Sequence, residues 1–173
     1  MLPVLLGYRG CGKTTVGRAL ATRLGEGVGH VDTDALVEAA AELGIPAIFE
    51  LHGEPAFRDM EAEAVAAAVD PEGVYAGDVV SLGGGAVLRD DTQRQLRASG
   101  RPLVYLRCPD DVLASRIGDG SGRPSLTGGG AAAEVAAVMA ERGPVYGSIA
   151  THVVDATGSV DLVADAIIAL LDR

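Results

Sequence analysis

The segment Gly7-Tyr8-Arg9-Gly10-Cys11-Gly12-Lys13-Thr14 fits the spacing G-x-x-x-x-G-K-[ST], and it joins an apolar run, Val4–Leu6, to a helical pattern over Thr14–Leu24. No other feature constrains the chain as strongly. A glycine-dense turn from strand into helix lets backbone N–H groups converge on phosphate oxygens, and the helix N-terminus adds partial positive charge. The lysine ammonium reaches the outer phosphates of a nucleoside triphosphate, and the next hydroxyl ligates Mg²⁺. Lys13 is the only lysine in the chain. The expected phosphate lining is therefore Gly10, Cys11, Gly12, Lys13, Thr14 and Thr15, with Thr14 a metal ligand. A GTPase of the usual kind is excluded, because its N-K-x-D guanine reader needs a second lysine.

Further short apolar runs follow: Val28–Val31, Val79–Leu82, Leu103–Leu106 and His152–Val154. Between them, helical spacing covers Thr33–Leu43, Glu54–Val69, Asp91–Ala98, Pro109–Ile117, Ala131–Tyr146 and Val160–Leu171. Nearly uninterrupted apolar strands alternating with helices specify an α/β fold, a five-stranded parallel sheet covered on both faces. With 173 residues and no internal linker, residues 1–173 form one domain. Aromatic residues are only 3%, so Ala, Val, Leu and Ile must build the core.

The formal net charge of −10 argues against a nucleic-acid partner, and it requires that positive charge be concentrated wherever phosphates bind. Two cysteines without CxxC spacing, no basic N-terminal region and no apolar run of membrane length lead us to expect a cytoplasmic protein with free thiols, with no membrane association, acting as a monomer. His30, His52 and His152 lack metal-ligand spacing, and no G-x-S-x-G is present, so neither a metallohydrolase nor a serine hydrolase is supported.

Asp32-Thr33-Asp34 closes the second strand, at the end of the sheet where such folds bind ligands. One carboxylate can hold the metal, here Asp32, and the other can accept a proton from a hydroxyl, here Asp34. A plain helix cap is the competing explanation. The segment 118–130 is glycine-dense with almost no apolar content and carries Arg123. It reads as a mobile lid whose arginine stabilises the transferring phosphoryl group.

These residues resemble the shikimate kinase family over nearly the whole chain. The resemblance rests on D-T-D together with Gly53-Glu54-Pro55-Ala56-Phe57-Arg58-Asp59-Met60-Glu61, Ser81-Leu82-Gly83-Gly84-Gly85, Gly122-Arg123-Pro124-Ser125-Leu126 and Arg142-Gly143-Pro144-Val145-Tyr146. It implies a P-loop kinase fold of three α/β/α layers, with ATP as co-substrate, Mg²⁺ as cofactor and shikimate as acceptor. The substrate-binding segment would be about 33–61. Arg58 and Arg142 are planar forks suited to a carboxylate, and the resemblance implies that they hold the acid group. Glu61, three residues beyond Arg58, can orient it. Gly83, Gly84 and Gly85 fit either a tight turn or close backbone approach to a ligand, and the resemblance implies the second. It also implies that Phe49 and Phe57, the only two phenylalanines, wall the acid site, and that Arg116 stacks on adenine. Asp34, Lys13 and Arg123 would be catalytic.

The chain departs from the family pattern in places. The loop Asp155-Ala156-Thr157-Gly158-Ser159-Val160 lacks the family's proline, and Arg9 and Cys11 stand where small residues are usual. We expect Arg9 and Cys11 to face outward or sideways. An adenylate-type kinase would need a second base site in place of D-T-D and F-R-x-x-E. A gluconate-type kinase usually lacks the aspartate pair and the glycine triplet. A non-catalytic nucleotide-binding module would carry a broken acid–base or phosphate residue, and none is broken here.

Overall fold

A computed structural model describes residues 1–118 and 131–171. Residues 119–130 of the expected lid, Arg123 among them, lie outside the described residues. The strands are β1 (Val4–Leu6), β2 (His30–Asp32), β3 (Val79–Ser81), β4 (Leu103–Arg107) and β5 (His152–Asp155). They form one parallel sheet in the order β2-β3-β1-β4-β5. The helices are α1 (Lys13–Leu24), α2 (Thr33–Ala41), α3 (Ile45–Val69), α4 (Asp90–Ala98), α5 (Asp110–Ile117), α6 (Ala131–Ile149) and α7 (Val160–Leu171), with a 3₁₀ turn at Ala86–Leu88. Val4, Leu5 and Leu6 are fully buried, so the phosphate loop leaves from a strand shielded on both faces. The chain runs to β2 and β3 on one side of β1 and to β4 and β5 on the other. This reversal opens a crevice at the carboxyl end of β1, the usual ligand position in such sheets.

The expected elements are all present, with shifted ends. Strand β2 begins at His30 because Gly29 is tied sideways, its N–H donating to Asp78 Oδ1 at 2.8 Å. Helix α2 ends at Ala41, where Glu42 turns left-handed at φ 53°. One helical stretch escaped the sequence reading: α3 starts at Ile45, not Glu54. Gly44 precedes it, Pro46 occupies its first turn, and Glu38 accepts the Ile45 N–H at 3.0 Å. The helix breaks at Gly53, with φ 78° and ψ 170°. Pro55, two residues on, has no N–H to carry the ladder across. This break turns residues 45–52 against α2, where Val37, Ile45, Ile48, Phe57 and Ala64 form a small apolar cluster apart from the main core. The segment 45–52 therefore has its own packing.

One buried cation holds the opposite end of the sheet. Arg101, 6% exposed, donates to Leu2 O at 2.9 Å, to Ala68 O at 3.0 Å and to Asp78 O. It joins the entries to β1 and β3 with the end of α3. Burial lowers its pKa, yet a guanidinium stays charged, so the three carbonyls act as its solvent. Arg101→Met strands those acceptors. We expect a stability loss of about 3 kcal/mol, seen as a lower urea midpoint with unchanged m. A midpoint equal to wild type would contradict this role.

Candidate active site

Glycine geometry sets the phosphate loop. A Cβ on Gly7 would lie 2.9 Å from Leu106 O and 3.0 Å from Cys11 Sγ, and Gly12 precedes α1 at φ 97°. The Lys13 ammonium folds back over the loop, donating to Gly7 O at 2.8 Å and Tyr8 O at 3.1 Å. Its charge is thereby held above the turn. Cys11 differs from the expectation that it faces outward or sideways. It is 1% exposed and packs inward near Gly7, with its sulfur 3.8 Å from Lys13 Nζ.

Asp32 does two things at once. Its Oδ1 accepts the Asp34 N–H at 3.0 Å and caps α2, while its Oδ2 accepts from Thr14 Oγ1 at 2.6 Å. The cap and the metal explanations are thus compatible. A hydroxyl and a carboxylate side by side are the hard oxygen donors that Mg²⁺ takes, with phosphate oxygens and water completing the shell. The residues fit that ion.

Two cavities open beside the loop. One, of about 370 Å³, is lined by Gly10, Gly12, Lys13, Thr14, Thr15, Asp32 and Arg116 among others. The second, of about 260 Å³, is lined by Phe49, Phe57, Arg58, Glu61, Gly85 and Arg142 among others. Asp34, Arg9 and Gly84 line both. The cavity beside the phosphate loop and the cavity flanked by Arg58 and Arg142 thus meet at Asp34. Arg123 is outside the described residues.

The second cavity is built around guanidinium groups. Arg58 donates through Nη1 to Glu61 Oε2 at 2.7 Å, and through Nε and Nη2 to Glu54 Oε1 at 3.2 and 3.0 Å. Glu61 is 3% exposed, so this is not the exposed pair that spacing alone suggested. Burial pushes the Glu61 carboxyl up despite Arg58, and Arg58 is raised because Glu61 and Glu54 outweigh its own burial. The Phe49 and Phe57 rings stand 4.6 Å apart by centroid, and Arg58 lies over Phe57 at 5.2 Å.

The glycine triplet serves a purpose not foreseen in the sequence. None of its members has positive φ; what Gly83 and Gly85 supply is room. A Cβ on Gly83 would fall 2.4 Å from Asp34 Oδ1 and 2.7 Å from Glu61 Oε1. On Gly85 it would fall 2.2 Å from Arg58 Nη1. The Gly83 N–H donates to Thr33 Oγ1 at 2.9 Å, and Gly83 lines neither of the two cavities. Gly84 and Gly85 do line the second cavity.

Tyr146 had no assigned role in the sequence reading. It is fully buried and donates to Gly84 O at 2.5 Å, so α6 is tied to the triplet. Burial pushes its hydroxyl well up. The spacing of four between Arg142 and Tyr146 was the available signal, since it puts both on one helix face.

Arg116 lines the cavity beside the phosphate loop and donates to Cys108 Sγ at 3.4 Å and Thr157 O at 3.3 Å. The loop after β5 closes without the missing proline. Asp155 Oδ1 accepts from Thr157 N at 2.9 Å and Thr157 Oγ1 at 2.7 Å, bonds that also lower the Asp155 pKa.

The chain can be compared with known proteins on this geometry. The family model described as shikimate kinase matches residues 9–172. A shikimate kinase from Oleidesulfovibrio alaskensis is 46% identical over 170 residues, covering 96% of this chain and 95% of that protein. One from Nitratidesulfovibrio vulgaris is 44% identical over 170 residues, covering 96% and 93%. Among solved structures, shikimate kinase from Acinetobacter baumannii in complex with shikimate superposes with a TM-score of 0.87 at 29% identity, covering 98% of this chain and 91% of that one.

Proposed function

This chain belongs to the shikimate kinase family, and from that membership we propose that it transfers the γ-phosphoryl group of ATP to the 3-hydroxyl of shikimate, giving shikimate 3-phosphate and ADP. The observation that carries the reading is the junction of the two cavities at Asp34, with the phosphate loop on one side and Arg58 and Arg142 on the other.

The ATP phosphates lie against the backbone of the loop from Gly10 to Thr15, with Lys13 bridging the β- and γ-phosphates. Mg²⁺ neutralises phosphate charge when bound, and Thr14 and Asp32 would hold it. Arg116 packs beside the adenine. In the second cavity Arg58 and Arg142 grip the carboxylate, Phe49 and Phe57 wall the ring, and the backbone of Gly84 and Gly85 approaches it. Glu61 and Glu54 hold the Arg58 fork in one plane, so little rotamer freedom is lost on binding.

The hydroxyl turned toward the shared wall donates to Asp34. Its proton passes to that carboxylate as its oxygen bonds to the γ-phosphorus, while the bond to the β–γ bridging oxygen breaks and ADP leaves. Arg123 would add positive charge to the transferring group. Catalysis here is positioning and electrostatics rather than covalent chemistry. A cytoplasmic monomer that binds no nucleic acid is consistent with the net charge of −10, and among the described residues no helix is long and apolar enough to cross a membrane.

A coupled ADP-release assay tests the reading. We expect ATP- and Mg²⁺-dependent turnover with shikimate, and at most a few per cent of that rate with quinate, gluconate or AMP. Turnover on gluconate or AMP exceeding that on shikimate would overturn it.

A further inference from the structure

Among the described residues, Asp34, Arg9 and Gly84 line both cavities. Asp34 has a role in the proposed transfer, and the Gly84 carbonyl is engaged by Tyr146. Arg9 has none so far. Its backbone is fixed by the phosphate loop, and its Nη2 pairs with Glu134, a 3%-exposed carboxylate in the first turn of α6. Its Nε is buried and has no partner among the described residues, while the side chain as a whole stays one-fifth exposed. The guanidinium is thus anchored at one nitrogen and has donor capacity left over.

Among the described residues, the other cations lining these cavities are divided between them. Lys13 and Arg116 line only the nucleotide side, and Arg58 and Arg142 only the acid side. The phosphoryl group is the one charged group that changes sides in the reaction. We propose that Arg9 is a further phosphoryl-binding residue, the cation that stays with the group as it crosses and that then recognises the phosphomonoester on the acid product. The inference rests on the substrate reading above. It assigns Glu134 the task of holding the fork in place, because a flexible arginine at this border would lose most of its binding energy to ordering.

Calorimetric titration of shikimate and of shikimate 3-phosphate into the nucleotide-free protein separates this from a purely structural ion pair. Arg9→Met should weaken the 3-phosphate about tenfold or more, the scale of a lost charge-assisted hydrogen bond, and shikimate by less than about threefold. Arg9→Lys, which keeps the charge, should recover part of the loss. Equal weakening of both acids, or no change in either, would overturn the inference. Should Arg9→Met fail to fold for want of its ion pair with Glu134, the double variant Arg9→Met/Glu134→Met removes both charges and carries the same comparison. Wild-type protein that binds neither acid would overturn the substrate reading, and this inference with it.

Discussion

Lys13→Ala lowers kcat by at least about 10³-fold in the expected outcome, the upper range for loss of a preorganised charge donor. No other ammonium is available to the phosphates, because this is the only lysine in the chain. The side chain is also prearranged. Two loop carbonyls, Gly7 O and Tyr8 O, hold Nζ above the turn at 2.8 and 3.1 Å, so ATP meets a charge already in position. The same bonds mean that the alanine variant gives up some loop stability, about 1 kcal/mol, and it should still fold cooperatively. Circular dichroism and a thermal melt check the fold, and the coupled assay checks turnover. A folded variant with near wild-type turnover would remove the phosphate-loop argument.

Asp34→Asn has the second-largest effect. We expect kcat to fall about 10²-fold or more, with ATP affinity little changed. The substitution is nearly isosteric, which matters where Asp34 Oδ1 fills space that Gly83 leaves open. It also spares the helix, since Asp32 and not Asp34 supplies the cap of α2. A large loss therefore reports chemistry and not folding. Asp32→Asn provides the contrast. An asparagine oxygen can still accept the Asp34 N–H, but the charge beside Thr14 is gone, so the Mg²⁺ concentration for half-maximal rate should rise. Wild-type kcat in Asp34→Asn would mean that the carboxylate takes no proton.

Much of this site could be read from the chain, because its parts are local. The phosphate loop, the capped aspartate pair and the Arg58–Glu61 spacing each depend on residues within one turn or one strand end, and periodicity and capping report such arrangements. What was missed is of another kind. The ion pair between Arg9 and Glu134 joins residues 125 apart, and the bond from Tyr146 to Gly84 joins residues 62 apart. Neither pairing follows from spacing; both depend on how α6 docks against the sheet. The glycine triplet looked like a backbone device because glycine usually is one. A further use, room at Gly83 and Gly85 for Asp34, Glu61 and Arg58, needs three-dimensional neighbours to be seen. The first half of α3 escaped because Gly53 and Pro55 mark a helix boundary in any linear reading. In the fold they mark a bend that brings Phe49 against Phe57.

The central claim is that one phosphoryl group passes across Asp34 onto a single hydroxyl of a gripped acid. Phosphorus and proton magnetic resonance of the product formed from ATP and shikimate tests it most directly. The account predicts one phosphomonoester, coupled to the proton on carbon 3, formed in equal amount to ADP. Phosphate on another hydroxyl, a mixture of esters, or ADP and free phosphate without any ester would contradict it.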